Sequence, residues 1–208
     1  MTRARAGTKG VPREEREGQI LDIAAEEFGR RGYAHASVAD IAQRAGISKP
    51  LVYGYFESKE GLFQACLTRA GESLVEAVAT AQTGVTITRA ISTLAAIFET
   101  IEPRPYAWSI LFDATLPRGS AIYDSAAQYR RALIELGSTG TREVLHAAGN
   151  TDALDASLLT DIWLSTVTTV VQWWLEHPGE DAAATTQRCV RLLRTLAGSA
   201  GSARRPRT

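Results

Sequence analysis

The chain has 208 residues and a formal net charge of zero, because 23 Lys and Arg balance 23 Asp and Glu. Its composition, 45% hydrophobic and 22% charged, is that of a globular protein that can bury a core. This balance excludes a general positive field as a source of nucleic-acid affinity, so any such affinity must come from a local patch.

One local patch lies in the first thirteen residues. Arg3, Arg5, Lys9 and Arg13 occur there without an acidic residue. We expect residues 1–12 to form a flexible basic arm, which either keeps the terminus soluble or lies beside DNA.

The first predicted helix has an apolar face made by Ile20, Ala24 and Phe28 at four-residue spacing. Gly32 is expected to end it, because glycine adopts left-handed backbone geometry without steric cost.

Two short helices and a longer one follow. Ser37 is the predicted N-cap of the second helix, with Asp40 in the position of a capping-box acid, and Gly46 ends this helix. Ser48 is the predicted N-cap of the third, with Pro50 in its first turn. A fourth helix should run from about residue 58 to about residue 81.

The remaining sequence predicts helices at about 86–101, 104–115, 119–148, 153–177 and 180–197, and no strand pattern occurs. The predicted fold is therefore all-α. We expect a helix-turn-helix domain at 13–62, a helical ligand-binding and dimerisation domain at 63–198, and a disordered tail at 199–208.

The short helices around Gly46 have the spacing of a helix-turn-helix, whose second helix enters the DNA major groove. Ser48, Lys49 and Tyr53 would project from that helix, and Ser37, Tyr55 and Lys59 would flank it. Hydroxyls, phenols and cations hydrogen-bond phosphates and base edges. A plain packing corner would show the same spacing.

The stretch from Arg16 to Leu62 resembles the DNA-binding domain of the TetR (tetracycline repressor) family of bacterial regulators. The matching residues are Ile20, Ala24, Phe28, Gly32, Tyr33, Ser37, Val38, Asp40, Ile41, Ala42, Ala45, Gly46, Ile47, Ser48, Leu51, Tyr53, Tyr55, Phe56 and the run from Ser58 to Leu62. They cover about a quarter of the chain.

The resemblance implies a role for each DNA-binding candidate. Ser37, Tyr55 and Lys59 correspond to phosphate-contacting positions. The recognition helix would present Ser48, Lys49, Pro50, Leu51 and Tyr53. Family members often have a small residue or glycine before the tyrosine, where this chain has Lys49 to Val52, so the base preference does not follow from the resemblance.

The resemblance also implies a sensor bundle that binds an inducer and dimerises through its last two helices, here 153–177 and 180–197. Candidates for the ligand site are Trp108, Phe112, Asp113, Tyr129, Trp163 and Thr166. Aromatic residues at helical spacing are also typical of a plain core. The few charges in the middle helices favour a planar or aliphatic organic ligand over a nucleotide.

Other classes of protein find less support. The three histidines lie on separate elements without metal-ligand spacing, and Glu26 and Glu27 are expected on solvent faces. We therefore expect no catalytic residues, metal or cofactor. The two cysteines are far apart, and the apolar stretch around 167–175 is too short to span a bilayer, which predicts a cytoplasmic protein without a membrane partner.

The expected function is that of a homodimeric repressor that binds a near-palindromic double-stranded DNA operator and releases it when a small organic inducer binds. A transcriptional activator of the same fold and a helical ligand-binding protein without a DNA role remain alternatives.

Overall fold

A computed structural model describes residues 12–82 and 87–202. The basic arm before residue 12 and the last six residues of the tail lie outside this range. The described residues contain nine α-helices and no strand: α1 (Arg13–His35), α2 (Val38–Arg44), α3 (Lys49–Phe56), α4 (Lys59–Thr80), α5 (Ile87–Ile101), α6 (Ala107–Leu111), α7 (Ala121–Ala147), α8 (Ala153–Leu175) and α9 (Ala182–Ser202). The prediction of an all-α fold is confirmed.

Local signals set the ends of the first helices. The hydroxyl oxygen of Ser37 accepts a hydrogen bond from the Asp40 amide at 3.2 Å, and that of Ser48 accepts one from the Leu51 amide at 3.3 Å. Both serines are therefore N-caps, as predicted. Gly32 interrupts α1 with φ of 72°, the left-handed region expected of a glycine at this position.

Two helices differ from the prediction. The expected helix 104–115 is only α6, Ala107–Leu111, because the chain turns at Phe112 and the carboxylate of Asp113 folds back onto α1. α9 continues to Ser202 instead of ending near 197, since glycine in a helix is tolerated at a modest cost.

The chain divides into two compact units. In its described part, the first unit comprises residues 12–72 and 106–129, so it contains α1 to α3, α6 and parts of α4 and α7. Its core centres on Phe28, Phe63 and Tyr33, with the rings of Phe28 and Phe63 edge to face at 5.0 Å. The unit includes more than the expected domain 13–62, because residues after α5 return to pack against α1.

Glycines allow that return. The Cβ of Tyr106 would lie 2.3 Å from a Cβ added to Gly29 of α1, and the ring of Tyr129 would lie 2.5 Å from one added to Gly71 of α4. At both sites a tyrosine side chain occupies the space that a Cβ would need, so only glycine fits without a shift.

The second unit comprises the described residues of 73–105 and 130–202. α5 packs against α9, and the carboxylate of Glu102 accepts a hydrogen bond from the Ala182 amide at 2.8 Å. Thr141 and Thr160 join α7 to α8 through a buried hydrogen bond of 2.7 Å between their hydroxyls. In this unit the core is assembled from helices distant in sequence.

Neither cysteine forms a disulfide. Cys66 and Cys189 are both free and buried, and burial raises the pKa of the Cys66 thiol to about 12.

Among the described residues, α8 is long and apolar enough to cross a membrane by length and composition. The apolar stretch is therefore longer than the 167–175 expected from the sequence, and 22% of its most apolar window of 18 residues is buried.

Candidate nucleic-acid interface

The first turn of α3 is an outward-facing surface. Its residues Ser48, Lys49, Pro50 and Leu51 are all exposed, while Val52 and Phe56 on the opposite face are buried. The apolar face fixes the helix to the unit, so the exposed turn has a defined orientation.

Cations and aromatic rings are paired around this turn. The Lys49 ammonium lies 5.6 Å from the ring centre of Tyr53, and the Arg13 guanidinium lies 5.3 Å from that of Tyr55. Cation–π contact restricts the side-chain rotamers without neutralising the charge. Five of the predicted DNA-binding residues thus lie on α3, namely Lys49, Pro50, Leu51, Tyr53 and Tyr55, and Ser48 is its N-cap.

Lys59 lies at the start of α4 and is partly buried. Its ammonium donates a hydrogen bond to the Ala34 carbonyl at 3.4 Å and lies 4.9 Å from the ring centre of Tyr33. Burial lowers the pKa of Lys59 below its ordinary value, and the negative charge of Glu27 opposes that shift. These contacts hold the cation near the end of α1 while leaving donors for a phosphate.

A buried carboxylate organises the α1–α2 corner. The side chain of Glu27 is only 6% exposed and lies 3.3 Å from the Arg31 guanidinium and 3.9 Å from that of Arg44. It also accepts a hydrogen bond from the backbone amide of Ser37 at 3.2 Å. The expectation that Glu27 lies on a solvent face is therefore wrong, because its partners come from the following helix and its cap.

Glu26, its neighbour, is about one-third exposed and pairs with Arg30 and Arg44. The spacing of Glu27 and Arg31 was visible in the sequence as an i,i+4 pair, but that pattern is equally typical of an exposed helix face. The contact to Ser37 carried no sequence signal.

The predicted ligand residues fall into two groups. Trp108 and Phe112 stack with ring centres 4.6 Å apart in the first unit, and Trp108 is buried. Asp113 accepts a hydrogen bond from the Tyr33 amide at 2.6 Å, and its second oxygen accepts two from Thr115, each at 2.7 Å. Tyr129 packs on Gly71.

Trp163 and Thr166 belong to the second unit. The Thr166 hydroxyl donates to the Ile162 carbonyl at 2.8 Å within α8. Trp163 lines a cavity between helices, together with residues of α5 and α7 that the sequence did not single out. The assignment of all six residues to one ligand site stays a prediction.

No group of three or more His, Cys, Asp or Glu that could hold a metal ion occurs in the part of the chain that the structure describes.

Residues 20–66 match the family model of bacterial regulatory proteins of the tetR family. A 105-residue stretch is 39% identical to the transcriptional activator FasR of Mycolicibacterium smegmatis, covering 50% of this chain and 48% of FasR. A 61-residue stretch is 41% identical to the uncharacterised regulator YdgC of Bacillus subtilis, covering 29% of this chain and 30% of YdgC. The chain thus matches less than half the length of these curated relatives.

Solved structures extend the likeness beyond the helix-turn-helix. A TetR-like transcriptional regulator from Rhodococcus sp. RHA1 is 28% identical, with a TM-score of 0.67 and coverage of 91% of this chain and 100% of that one. The FadR regulator of Bacillus subtilis, solved with stearoyl-CoA, is 17% identical with a TM-score of 0.61, and covers 85% of this chain and 96% of that one. At that identity it shows the fold alone.

Residues 20–66 therefore carry the helix-turn-helix domain of the tetR family of bacterial regulatory proteins, and the chain is similar over 91% of its length to a TetR-like transcriptional regulator of known structure.

Proposed function

We propose that the protein is a homodimeric repressor that binds a near-palindromic operator and releases it when a small organic inducer occupies the second unit. The observation that carries the proposal is the first turn of α3, where Ser48 to Leu51 are exposed and the opposite face is buried. A helix fixed in this way fits the major groove, which is about 12 Å wide.

The side chains around α3 divide into two roles. Lys49 and Tyr53 face outward from the recognition helix and would contact base edges. Ser37, Tyr55 and Lys59 would contact phosphates, and a serine whose oxygen already accepts its capping bond still has its O–H to donate.

Dimerisation is supported by unpartnered apolar side chains on α8 and α9. Leu154, Leu158 and Ile162 follow each other at four-residue spacing on α8 and are 80%, 60% and 53% exposed, and Leu192 on α9 is 65% exposed. A continuous apolar stripe of this kind marks a protein interface. A second copy with two-fold symmetry would match a near-palindromic operator, with recognition helices about 34–36 Å apart.

A dimer also explains the apolar character of α8 without a membrane. Under this proposal the protein acts in the cytoplasm, where the bacterial chromosome is accessible, and α8 is covered by its counterpart.

Activation is the second candidate, because the relative FasR is named as an activator. The two outcomes depend on where the operator lies relative to the promoter. A reporter driven by the native promoter, with and without the protein, distinguishes them by the sign of the change.

The primary test is selection of DNA from a randomised double-stranded library by the purified full-length protein at near-physiological salt. Enrichment of one inverted repeat is expected. Absence of enrichment, with the protein folded and dimeric, would contradict the DNA-binding role.

The phosphate role is tested by Lys59→Ala. Affinity for the operator and for random DNA should fall together, and the slope of log affinity against log salt should decrease by about one. Arg118→Ala, which removes an exposed cation outside the helix-turn-helix, is the matched control and should leave both unchanged. A loss of operator affinity alone would assign Lys59 to base recognition.

The role of Tyr53 in contacting base edges is tested by Tyr53→Ala. This variant should lower operator affinity by about 1–3 kcal/mol, while its affinity for random DNA and its dimerisation remain unchanged. Loss of folding would place Tyr53 in the core.

The dimer is tested by Leu158→Glu together with Ile162→Glu, measured by light scattering during size-exclusion chromatography. Charges on the stripe should give a folded monomer with weakened operator binding. Glu176→Lys, at an exposed position outside the stripe, is the control and should remain dimeric.

A further inference from the structure

The second unit has a cavity between α5, α7 and α8. Its volume is about 160 Å³, and it opens to solvent. This is smaller than most small-molecule sites, roughly 300–1,000 Å³, so a bound ligand would lie partly in solvent. Its apolar wall includes Ala90, Val144, Leu159 and the ring of Trp163.

Two glycines on α7 create much of the space. Gly137 and Gly140 are one turn apart and both line the cavity. A Cβ added to either would have its nearest neighbour at 3.6 Å, Trp163 Cδ1 for Gly137 and Arg89 Cδ for Gly140. Close packing therefore does not require glycine at these positions, although glycine is less favourable than alanine inside a helix. The absence of side chains at these two positions leaves space in the cavity.

The neutral polar groups at the cavity are already engaged. The Gln82 amide donates hydrogen bonds to the Thr93 hydroxyl at 3.2 Å and to the Val78 carbonyl at 3.1 Å. The Thr141 hydroxyl is bonded to that of Thr160 at 2.7 Å. These groups therefore have little remaining capacity to form hydrogen bonds with a ligand.

One charge remains. Arg89 is the charged residue among the described residues that line the cavity, and its side chain is 16% exposed. Its guanidinium Nη1 lies 2.6 Å from a carboxylate oxygen of Glu143, whose side chain is 55% exposed. The Glu143 carboxylate can therefore move into water, and an incoming anion would take its place on Arg89.

We propose that this cavity binds an aliphatic monocarboxylate, with the hydrocarbon chain against Leu159 and Trp163 and the carboxylate on Arg89 in place of Glu143. The assignment of this ligand as the inducer rests on the proposed function.

The test is calorimetric titration of the full-length protein with decanoate, decanol, decylamine and decanoyl-CoA. Decanoate should bind at least tenfold more tightly than decanol, and decylamine most weakly. Equal affinity for decanoate and decanol would overturn the proposal, because the charge would then contribute nothing. Binding of decanoyl-CoA without binding of decanoate would overturn the assignment of a free carboxylate.

Two variants of the ion pair should act in opposite directions. Arg89→Gln should weaken decanoate binding at least tenfold and leave decanol binding unchanged. Glu143→Gln should strengthen decanoate binding several-fold, because the competing carboxylate is gone. Effects of the same sign would contradict competition for Arg89. Arg89→Lys retains the charge and should retain most of the affinity, which separates a ligand role from a folding role.

Gly140→Leu fills the cavity and should abolish binding of both decanoate and decanol. Persistent binding would place the ligand elsewhere. Affinity for the selected operator, measured with and without decanoate, separates this proposal from the proposed function. Arg89-dependent binding that leaves operator affinity unchanged keeps the site and refutes the inducer role, whereas decanoate release of the operator that survives Arg89→Gln refutes the site.

Discussion

Two glycines of the first unit are tightly surrounded, whereas two glycines of the second unit have space around them. In the first unit, a Cβ on Gly61 would lie 2.1 Å from the carbonyl oxygen of Phe56, and one on Gly29 would lie 2.3 Å from Tyr106 Cβ. In the second unit, the nearest atoms to a Cβ on Gly137 or Gly140 are at 3.6 Å. At these positions glycine permits close packing in the first unit and leaves space in the second.

The ion pairs of the two units also differ in how firmly the surrounding structure holds them. The Glu27 carboxylate is buried and held by two arginines and a backbone amide, so its position is fixed by three partners. The Arg89–Glu143 pair has one partner largely in water. A unit that must present fixed groups to DNA gains from the first arrangement, and a unit that must admit a ligand gains from the second.

The strongest test of the close-packed unit is Gly61→Ala. Because the added Cβ would meet a backbone oxygen that cannot rotate away, we expect a loss of about 3 kcal/mol or more in the free energy of unfolding. Denaturant unfolding followed by circular dichroism measures it. Gly54→Ala is the matched control, since no atom lies within 4 Å of its Cβ position, and it should be neutral or stabilising.

A smaller loss is expected from Glu27→Gln. The amide keeps the shape of the side chain but leaves Arg31 and Arg44 without their shared buried charge, at a cost of about 2 kcal/mol. Glu26→Gln, at a more exposed carboxylate, should cost about 0.5 kcal/mol or less. Equal effects would show that the burial of Glu27 adds nothing to its ion pairs.

The sequence predicted those parts of the first unit that depend on local contacts. The caps at Ser37 and Ser48 each join residues three apart, so their side chains and spacing are visible in the chain itself. The helix-turn-helix follows from the same spacing, and its resemblance to a known family adds the surface on which the candidate DNA contacts lie.

Contacts between distant residues could not be predicted in this way. The expected helix 104–115 is short because Asp113 binds the Tyr33 amide, eighty positions earlier. The cavity depends on Arg89, Gly140 and Trp163 from three helices, and of these only Trp163 had a pattern that drew attention. An arginine and a glycine on separate amphipathic helices are individually unremarkable in sequence.

The smallest expected effect has the opposite sign and tests the open unit. Gly137→Ala and Gly140→Ala should each stabilise the protein by up to about 1 kcal/mol, because alanine restricts the unfolded chain and favours helix, and both Cβ positions have room. Decanoate affinity should fall in the double variant as methyl groups enter the cavity. Thermal unfolding without ligand measures the first quantity and calorimetry the second. A packing defect would lower both the stability and the decanoate affinity. Higher stability together with weaker binding would therefore show that these glycines serve to leave space in the cavity.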